Sequence, residues 1–245
     1  MNASFLTNDK KDLYSRLLTL LYPRRCPVCD RVVPFGKLVH RKCLGYIKPV
    51  GAVTCMKCGK PLRDAGQEYC SDCKTTPHCF DRGFSVFRYR SVSGSLYRFK
   101  YAGRREYADF YARAACLLLG DTIRSLDPDA LVPVPLHPSR ERKRGYNQSA
   151  VFAEALGKLL GIPVNKTLIR RVQNTVPMKG LSSPERRNNL KNAFQSGTCG
   201  VKSECVVIVD DIYTTGSTVD AVARVLRGDG VKRIYCLTLA IGETA

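Results

Sequence analysis

The stretch VVIVDDIYTTGST, Val206 to Thr218, sets four aliphatic residues before two adjacent acids, then breaks into small hydroxyl residues around one glycine. An uninterrupted aliphatic run reads as a strand buried on both faces, which leaves Asp210 and Asp211 at its carboxyl end, where ligands of parallel sheets bind. Thr214, Thr215, Gly216, Ser217 and Thr218 then turn into a helix whose free amides can hold an anion, and Gly216 lets the backbone approach closely. Such a turn alone could be no more than a helix cap. Paired carboxylates change the reading, because they accept hydrogen bonds from vicinal hydroxyls. Diol and anion together specify a ribose 5-phosphate.

A second constellation is metal-binding. Cys26-x2-Cys29, His40-x2-Cys43, Cys55-x2-Cys58 and Cys70-x2-Cys73 form four evenly spaced pairs. Each pair aims two donors at one tetrahedral ion, so four pairs make two closed structural Zn²⁺ sites. The alternative, a disulfide framework, needs an oxidising compartment and has no export signal to support it. His40 stands where the other pairs have cysteine and is taken as a ligand. Sequential pairing gives two stacked ribbons and interleaved pairing a cross-brace; sequential is favoured. So short a module buries little core, and structural zinc supplies on the order of 10 kcal/mol of its folding free energy. His78 and Cys79 lack a pair partner and are left out.

The elements that must position these groups follow from periodicity. After the cysteines, GFSVFRYR alternates as a strand, Ser93 can cap a helix carrying SLYRFKYAG, and Gly103 ends it. A longer helix runs through ADFYARAACLLLGDTI, followed by the short buried strand ALVPVP, the helix NQSAVFAEALGKLLG and a strand at VNKTLIRR. A basic loop, the strand CVVIVD, the helix STVDAVARVLRGDG and the strand RIYCLTLA complete the chain. Alternating strands and helices predict an α/β fold, a parallel sheet flanked by helices, with the zinc module ahead of it. The expected division is an amino-terminal helix over 1–22, zinc ribbons over 23–80 and an α/β domain over 81–245. Leu13, Leu17, Leu18 and Leu21 share one face of that first helix, which could lie on a membrane surface but packs more readily on its own protein.

The formal net charge is +19 over 245 residues, with a sequence pI near 9.6. Two zinc ions on seven thiolates lower the charge only slightly. From Leu136 to Lys191, twelve Lys and Arg stand against three Glu. Such an excess favours polyanions through counterion release. Single strands bind where cations meet stacking rings, which nominates Arg140, Arg142, Lys143, Arg144, Tyr146, Lys100 and Tyr101. The plainer alternative for YRFKYAGRREY is a helix with its aromatics in the core and its charges in water. No run reaches the roughly 18 apolar residues of a membrane span, and the amino terminus lacks a signal-peptide pattern, so a soluble cytoplasmic protein is expected.

Hydrophobic strand, Asp-Asp, two residues, then Thr-Thr-Gly-x-Thr resembles the signature of type I phosphoribosyltransferases, which bind 5-phosphoribosyl 1-pyrophosphate (PRPP). Tyr213 departs from the aliphatic residue usual there. The zinc module, LYRFKYAG, VPVPLHPSRERKRGYNQ, LSSPERRNNLKNAF and the signature occur in the order of the ComF family, a resemblance covering nearly the whole chain from Tyr22. It implies that Asp210 and Asp211 hold the ribose hydroxyls in a catalytic role and that Thr214 to Thr218 hold the 5-phosphate. By the same resemblance Pro135, Leu136 and His137 occupy the pyrophosphate loop, Arg170, Arg171, Arg186 and Arg187 the flexible loop, and Mg²⁺ accompanies PRPP. The implied function is handling of incoming single-stranded DNA, with PRPP or a nucleotide 5-phosphate as ligand and a ComFA-like helicase as partner. The alternative is an active phosphoribosyltransferase in nucleotide synthesis or salvage.

Overall fold

The computed structural model describes residues 21–174, 190, 192–197 and 203–242. Of the expected amino-terminal helix, residues 1–20 lie outside the described part, as do Arg186 and Arg187. Among the described residues no helix is long and apolar enough to cross a membrane.

Residues 21–80 are organised by tight turns. Isolated antiparallel bridges, Arg25 with Val32 and Thr54 with Pro61, close two knuckles. Beside each knuckle a helical turn carries the second ligand pair. His40 caps the 3-10 turn Arg41–Tyr46, which holds Cys43, and Cys70 caps α1, Ser71–Thr75, which holds Cys73. One helical turn returns residues three apart to the same side, which the x2 spacing requires.

The α/β part begins with β1, Arg82–Arg88, and continues through α2, Tyr89–Tyr101, and α3, Tyr107–Ser125. Next come β2, Ala130–Pro133, α4, Pro138–Arg144, and α5, Gln148–Leu160. The short strands β3, Ile169–Arg171, and β4, Phe194–Ser196, precede β5, Cys205–Tyr213, α6, Ser217–Gly228, and β6, Arg233–Ile241. A four-stranded sheet has the order β1-β6-β5-β2 and is parallel throughout. The central place of β5 explains its aliphatic run: Val206 to Val209 are fully buried, with alternate residues entering opposite core layers.

Val207, Val209, Leu237 and Leu239 join a cluster with α2, α3 and α5, and Cys26, Val33, Leu38 and Ile47 of the first ribbon belong to it. Val206, Ile208, Ile234 and Cys236 face the other way, into a cluster with α6 and with Cys55, Cys58 and Cys70 of the second ribbon. The ribbons thus complete the two core layers. At the second ribbon the approach is backbone to backbone: the Gly83 amide donates to the Lys57 carbonyl at 2.7 Å, and a Cβ on Gly59 would come within 2.6 Å of the Gly83 oxygen.

Three local readings change. Helix α2 starts at Tyr89 with Arg88 as its cap residue, so Ser93 lies inside the helix. The basic run is itself helical, capped by His137, whose Nδ1 accepts the Ser139 amide. VNKTLIRR is not a strand of the main sheet along its length: Val164 makes one parallel bridge to Leu131, while Ile169–Arg171 pairs antiparallel with β4 in a separate two-stranded sheet.

Candidate functional site

The metal ligands gather in sequential order. Cys26, Cys29, His40 and Cys43 bring their donor atoms within 4.8 Å of one another, and so do Cys55, Cys58, Cys70 and Cys73. Cys58 and Cys70 sulfurs stand 3.6 Å apart, close to the edge of roughly 3.8 Å expected of a tetrahedron with 2.3 Å metal–sulfur bonds and far from a disulfide. His40 Nε2 lies 3.0 Å from the Val32 carbonyl, which only accepts, so Nε2 carries the proton and Nδ1 keeps its lone pair, 3.4 Å from Cys29 Sγ. Both donor sets suit structural Zn²⁺ and leave no protein-supplied vacancy for catalysis.

At the carboxyl end of β5, Asp210 and Asp211 are both buried. Helix α5 meets them with its first two residues. Asn147 caps that helix, accepting the Ser149 amide at 3.0 Å, and donates Nδ2 to the Val134 carbonyl, which pins the helix start to the segment after β2. Gln148 Nε2 therefore donates to Asp211 Oδ2 at 2.8 Å, and Ser149 Oγ to Asp210 Oδ1 at 3.1 Å. From α2, Lys100 Nζ reaches Asp211 Oδ2 at 2.7 Å. Burial pushes the Asp210 carboxyl up to about 7, and the charge of Asp211 adds to it; the Asp211 amide, Lys100 and Ser149 act in the opposite direction. The acids form a prearranged acceptor pair whose first member takes up a proton near neutrality.

Beyond them, Thr214 to Gly216 turn into the first residues of α6, Ser217 and Thr218, and all five line a shallow cleft with Asp210, Ile212, Tyr213 and Val219. Gly216 is the helix cap residue, at φ 79°, and as a glycine it supplies no side chain to cap the first amides. A Cβ there would meet the Tyr213 hydroxyl oxygen at 2.5 Å, so the left-handed conformation and the space both require glycine. Tyr213 is buried and packs edge-on against Phe80 at 6.2 Å. Its ring fills the inner side of the turn, which accounts for an aromatic at this position.

The segment holding Pro135, Leu136 and His137 leaves β2 beside β5, since Pro133 is in register with Val209. His137 is engaged as the cap of α4. Arg171, on β3, lies over the Phe194 ring at 5.3 Å and is pushed down to about 10 by burial and the charge of Arg140, opposed by Asp210. The charge of Asp210 is thus felt at Arg171. Arg170 is exposed on the same strand.

The basic and aromatic candidates divide. Arg142 and Lys143 are exposed, Arg140 and Arg144 half-buried. Tyr97 and Tyr101 are 65% and 64% exposed, pair at 5.1 Å, and the Arg144 guanidinium lies 5.0 Å from the Tyr101 ring. Tyr146 is buried, and its hydroxyl donates to the Phe99 carbonyl, so its ring is a core element with no face for a base. Lys100 is turned to the acids. Arg98 donates to the Pro27 and Val28 carbonyls at 2.8 Å, and Arg104 grips Asp30 at 2.9 and 3.1 Å, so these cations hold the first zinc knuckle.

Sequence reasoning passed over Gln148, Ser149, the true partner of Lys100, and His78, whose Nδ1 lies 2.8 Å from Asp220 Oδ2. The one available signal was GYNQS, an asparagine cap followed by two polar residues at a helix start. A cleft of about 590 Å³ between α3 and α5 touches neither acids nor turn, and its mixed charges include Arg105, Asp109, Glu154 and Lys158.

With this geometry in place, residues 17–74 match the family model of the double zinc ribbon domain, and residues 115–243 that of the phosphoribosyl transferase domain. The chain is 34% identical to competence protein F of Haemophilus influenzae over 225 residues, 88% of this chain and 96% of that one. It is 32% identical to DNA utilization protein YhgH of Escherichia coli K12 over 218 residues, 86% and 88% of the two chains. It is 27% identical to competence protein ComFC of Bacillus subtilis over 211 residues, 77% of each.

Proposed function

This chain belongs to the ComF family, in which a double zinc ribbon precedes a phosphoribosyltransferase-type domain, and from that premise we propose a cytoplasmic protein that handles incoming single-stranded DNA and binds PRPP or a nucleotide 5-phosphate. One observation carries the ligand: a buried acid pair and a helix start whose cap residue is glycine stand in one contiguous stretch at the carboxyl end of the central strand. Asp210 and Asp211 accept from the ribose hydroxyls, and the amides of the turn hold the 5-phosphate. Arg140 and Arg171 suit a pyrophosphate, whose oxygens a guanidinium grips bidentately. Mg²⁺ bound with PRPP would supply charge neutralisation for its pyrophosphate.

The DNA reading is supported by the exposed Tyr97–Tyr101 pair beside Arg144, with Arg142 and Lys143 on the adjoining helix. On the ribbons, Val32, Phe35, Tyr46, Val53, Met56 and Tyr69 are exposed, which favours a protein partner there, such as a ComFA-like helicase.

Separate titrations of PRPP with Mg²⁺ and of a short oligonucleotide into zinc-replete protein, at two salt concentrations, test this reading. PRPP binding should be lost in the variant Asp210→Asn with Asp211→Asn. Oligonucleotide affinity should survive that variant and fall steeply with salt. Absence of both affinities in the wild type would reject it. The second reading, an active phosphoribosyltransferase, is supported by the charge coupling of Arg171 with Asp210; it requires release of pyrophosphate from PRPP with some base.

A further inference from the structure

The inner side of the turn is tied to the second zinc cluster by His78, whose side chain is 1% exposed. Its Nδ1 lies 2.8 Å from Asp220 Oδ2, in the first turn of α6, and the other Asp220 oxygen accepts the Cys79 amide at 2.9 Å. The Asp220 amide in turn donates to the Gly216 carbonyl at 2.8 Å. One carboxylate therefore joins the helix that begins at the turn to the segment leaving Cys73. Packing follows the same path. His78 Cε1 stands 3.0 Å from where a Gly216 Cβ would be, Phe80 stacks on His78 at 4.9 Å, and Phe80, Tyr213 and Val219 share a buried cluster with Cys55, Cys58 and Cys70. Asp81 continues the seam, accepting the Ile234 amide at 2.7 Å and pairing with Arg227 at 2.6 Å.

Facing a carboxylate, His78 Nδ1 donates, and Nε2 is left buried without a partner among the described residues. An apolar side chain of similar size would avoid that cost. What the imidazole alone supplies is the donor to Asp220.

We propose that His78 is a positioning residue for the phosphate turn. By donating to Asp220 it sets the first turn of α6, and it carries the order of the second zinc cluster into the sugar-phosphate site. The proposal rests on the reading of that turn as a 5-phosphate site.

The test uses the full zinc-replete chain, with ribose 5-phosphate as the probe in calorimetry. His78→Leu removes the donor and keeps apolar bulk, whereas His78→Asn keeps a donor near the Nδ1 position. His78→Leu should bind roughly tenfold more weakly, and His78→Asn within about threefold of wild type, with two zinc ions retained in each. Wild-type affinity in His78→Leu, or an equal loss in both variants, would overturn the proposal. Should the wild type fail to bind ribose 5-phosphate, the 5-phosphate reading falls, and ligand-free hydrogen exchange at the amides of 215–219 decides the positioning role. Faster exchange in His78→Leu but not His78→Asn supports it; unchanged exchange overturns it. Where His78→Leu does not fold, Asp220→Ala takes its place with the same expectations.

Discussion

Lys100, in the last turn of α2, and Asp211, near the end of β5, form an ion pair at 2.7 Å inside the acid site. The lysine is an internal counter-ion. It compensates one of two adjacent buried carboxylates and helps draw the Asp210 carboxyl down against burial.

Lys100→Met should therefore lift the ionisation of Asp210 above its value of about 7. An ionised carboxylate is the stronger acceptor for hydroxyls, so ribose 5-phosphate affinity at pH 7 should fall about three- to tenfold and the pH of half-maximal affinity should rise. Calorimetric titrations from pH 6 to 9 check this. An unchanged pH profile would remove Lys100 from the site.

Asp210→Asn tests the same electrostatics in the ligand-free fold. The folded carboxyl is raised from 3.8 to about 7, so its contribution to stability is complete below the unfolded value and lost as pH rises through about 7. The variant, having nothing to ionise, should melt about 2–8 °C above wild type at pH 8, a difference that narrows as pH falls and closes near pH 4. Scanning calorimetry at pH 8 and pH 4 decides. A variant that melts lower at pH 8 contradicts the assignment.

Zinc removal should unfold more than the ribbons, because each ribbon completes one core layer of the sheet domain. Metal analysis should find two zinc ions per chain. Stripping them with a strong chelator should lower the melting temperature by more than about 20 °C. Circular dichroism showing an intact sheet domain after chelation would exclude this coupling.

Tyr97 and Tyr101, exposed and paired, should behave differently from buried Tyr146. Tyr101→Ala and Tyr97→Ala should each weaken a short oligonucleotide by about 5- to 100-fold, the range for one lost stacking contact, with little change in melting temperature. Tyr146→Ala should lower the melting temperature through the loss of core packing. Fluorescence anisotropy paired with thermal melts separates the two effects.

Gly216→Ala places a methyl group 2.5 Å from the Tyr213 hydroxyl oxygen in a left-handed conformation. Ribose 5-phosphate affinity should fall at least about tenfold and the melting temperature by about 4–8 °C. Adding Tyr213→Phe should restore part of both. No recovery in the double variant would place the strain elsewhere.

Local patterns carried the reading where chemistry is contiguous in the chain. The x2 spacings brought ligands together within single turns, and their sequential grouping follows from ribbons about 50 residues long in total. The stretch from Val206 to Thr218 placed buried strand, acids and turn in one run, because a strand's end and the next helix's start are neighbours by connectivity.

Long-range packing decided what no local pattern encodes. Tyr97, Phe99, Tyr101 and Tyr107 read alike in sequence, yet α2 turns Phe99 inward and the two exposed tyrosines out, while Tyr107 donates to Asp30 of the first knuckle at 2.6 Å. Arg98 and Arg104 are cations spent on that knuckle, and Lys100 beside them serves Asp211. The sequence by itself determined the metal ligands, the parallel sheet and the acid-and-turn motif, since each depends on residues a few positions apart. Only the tertiary structure decided which cations and rings remain for ligands, because that depends on which distant backbone and carboxylate oxygens reach them first.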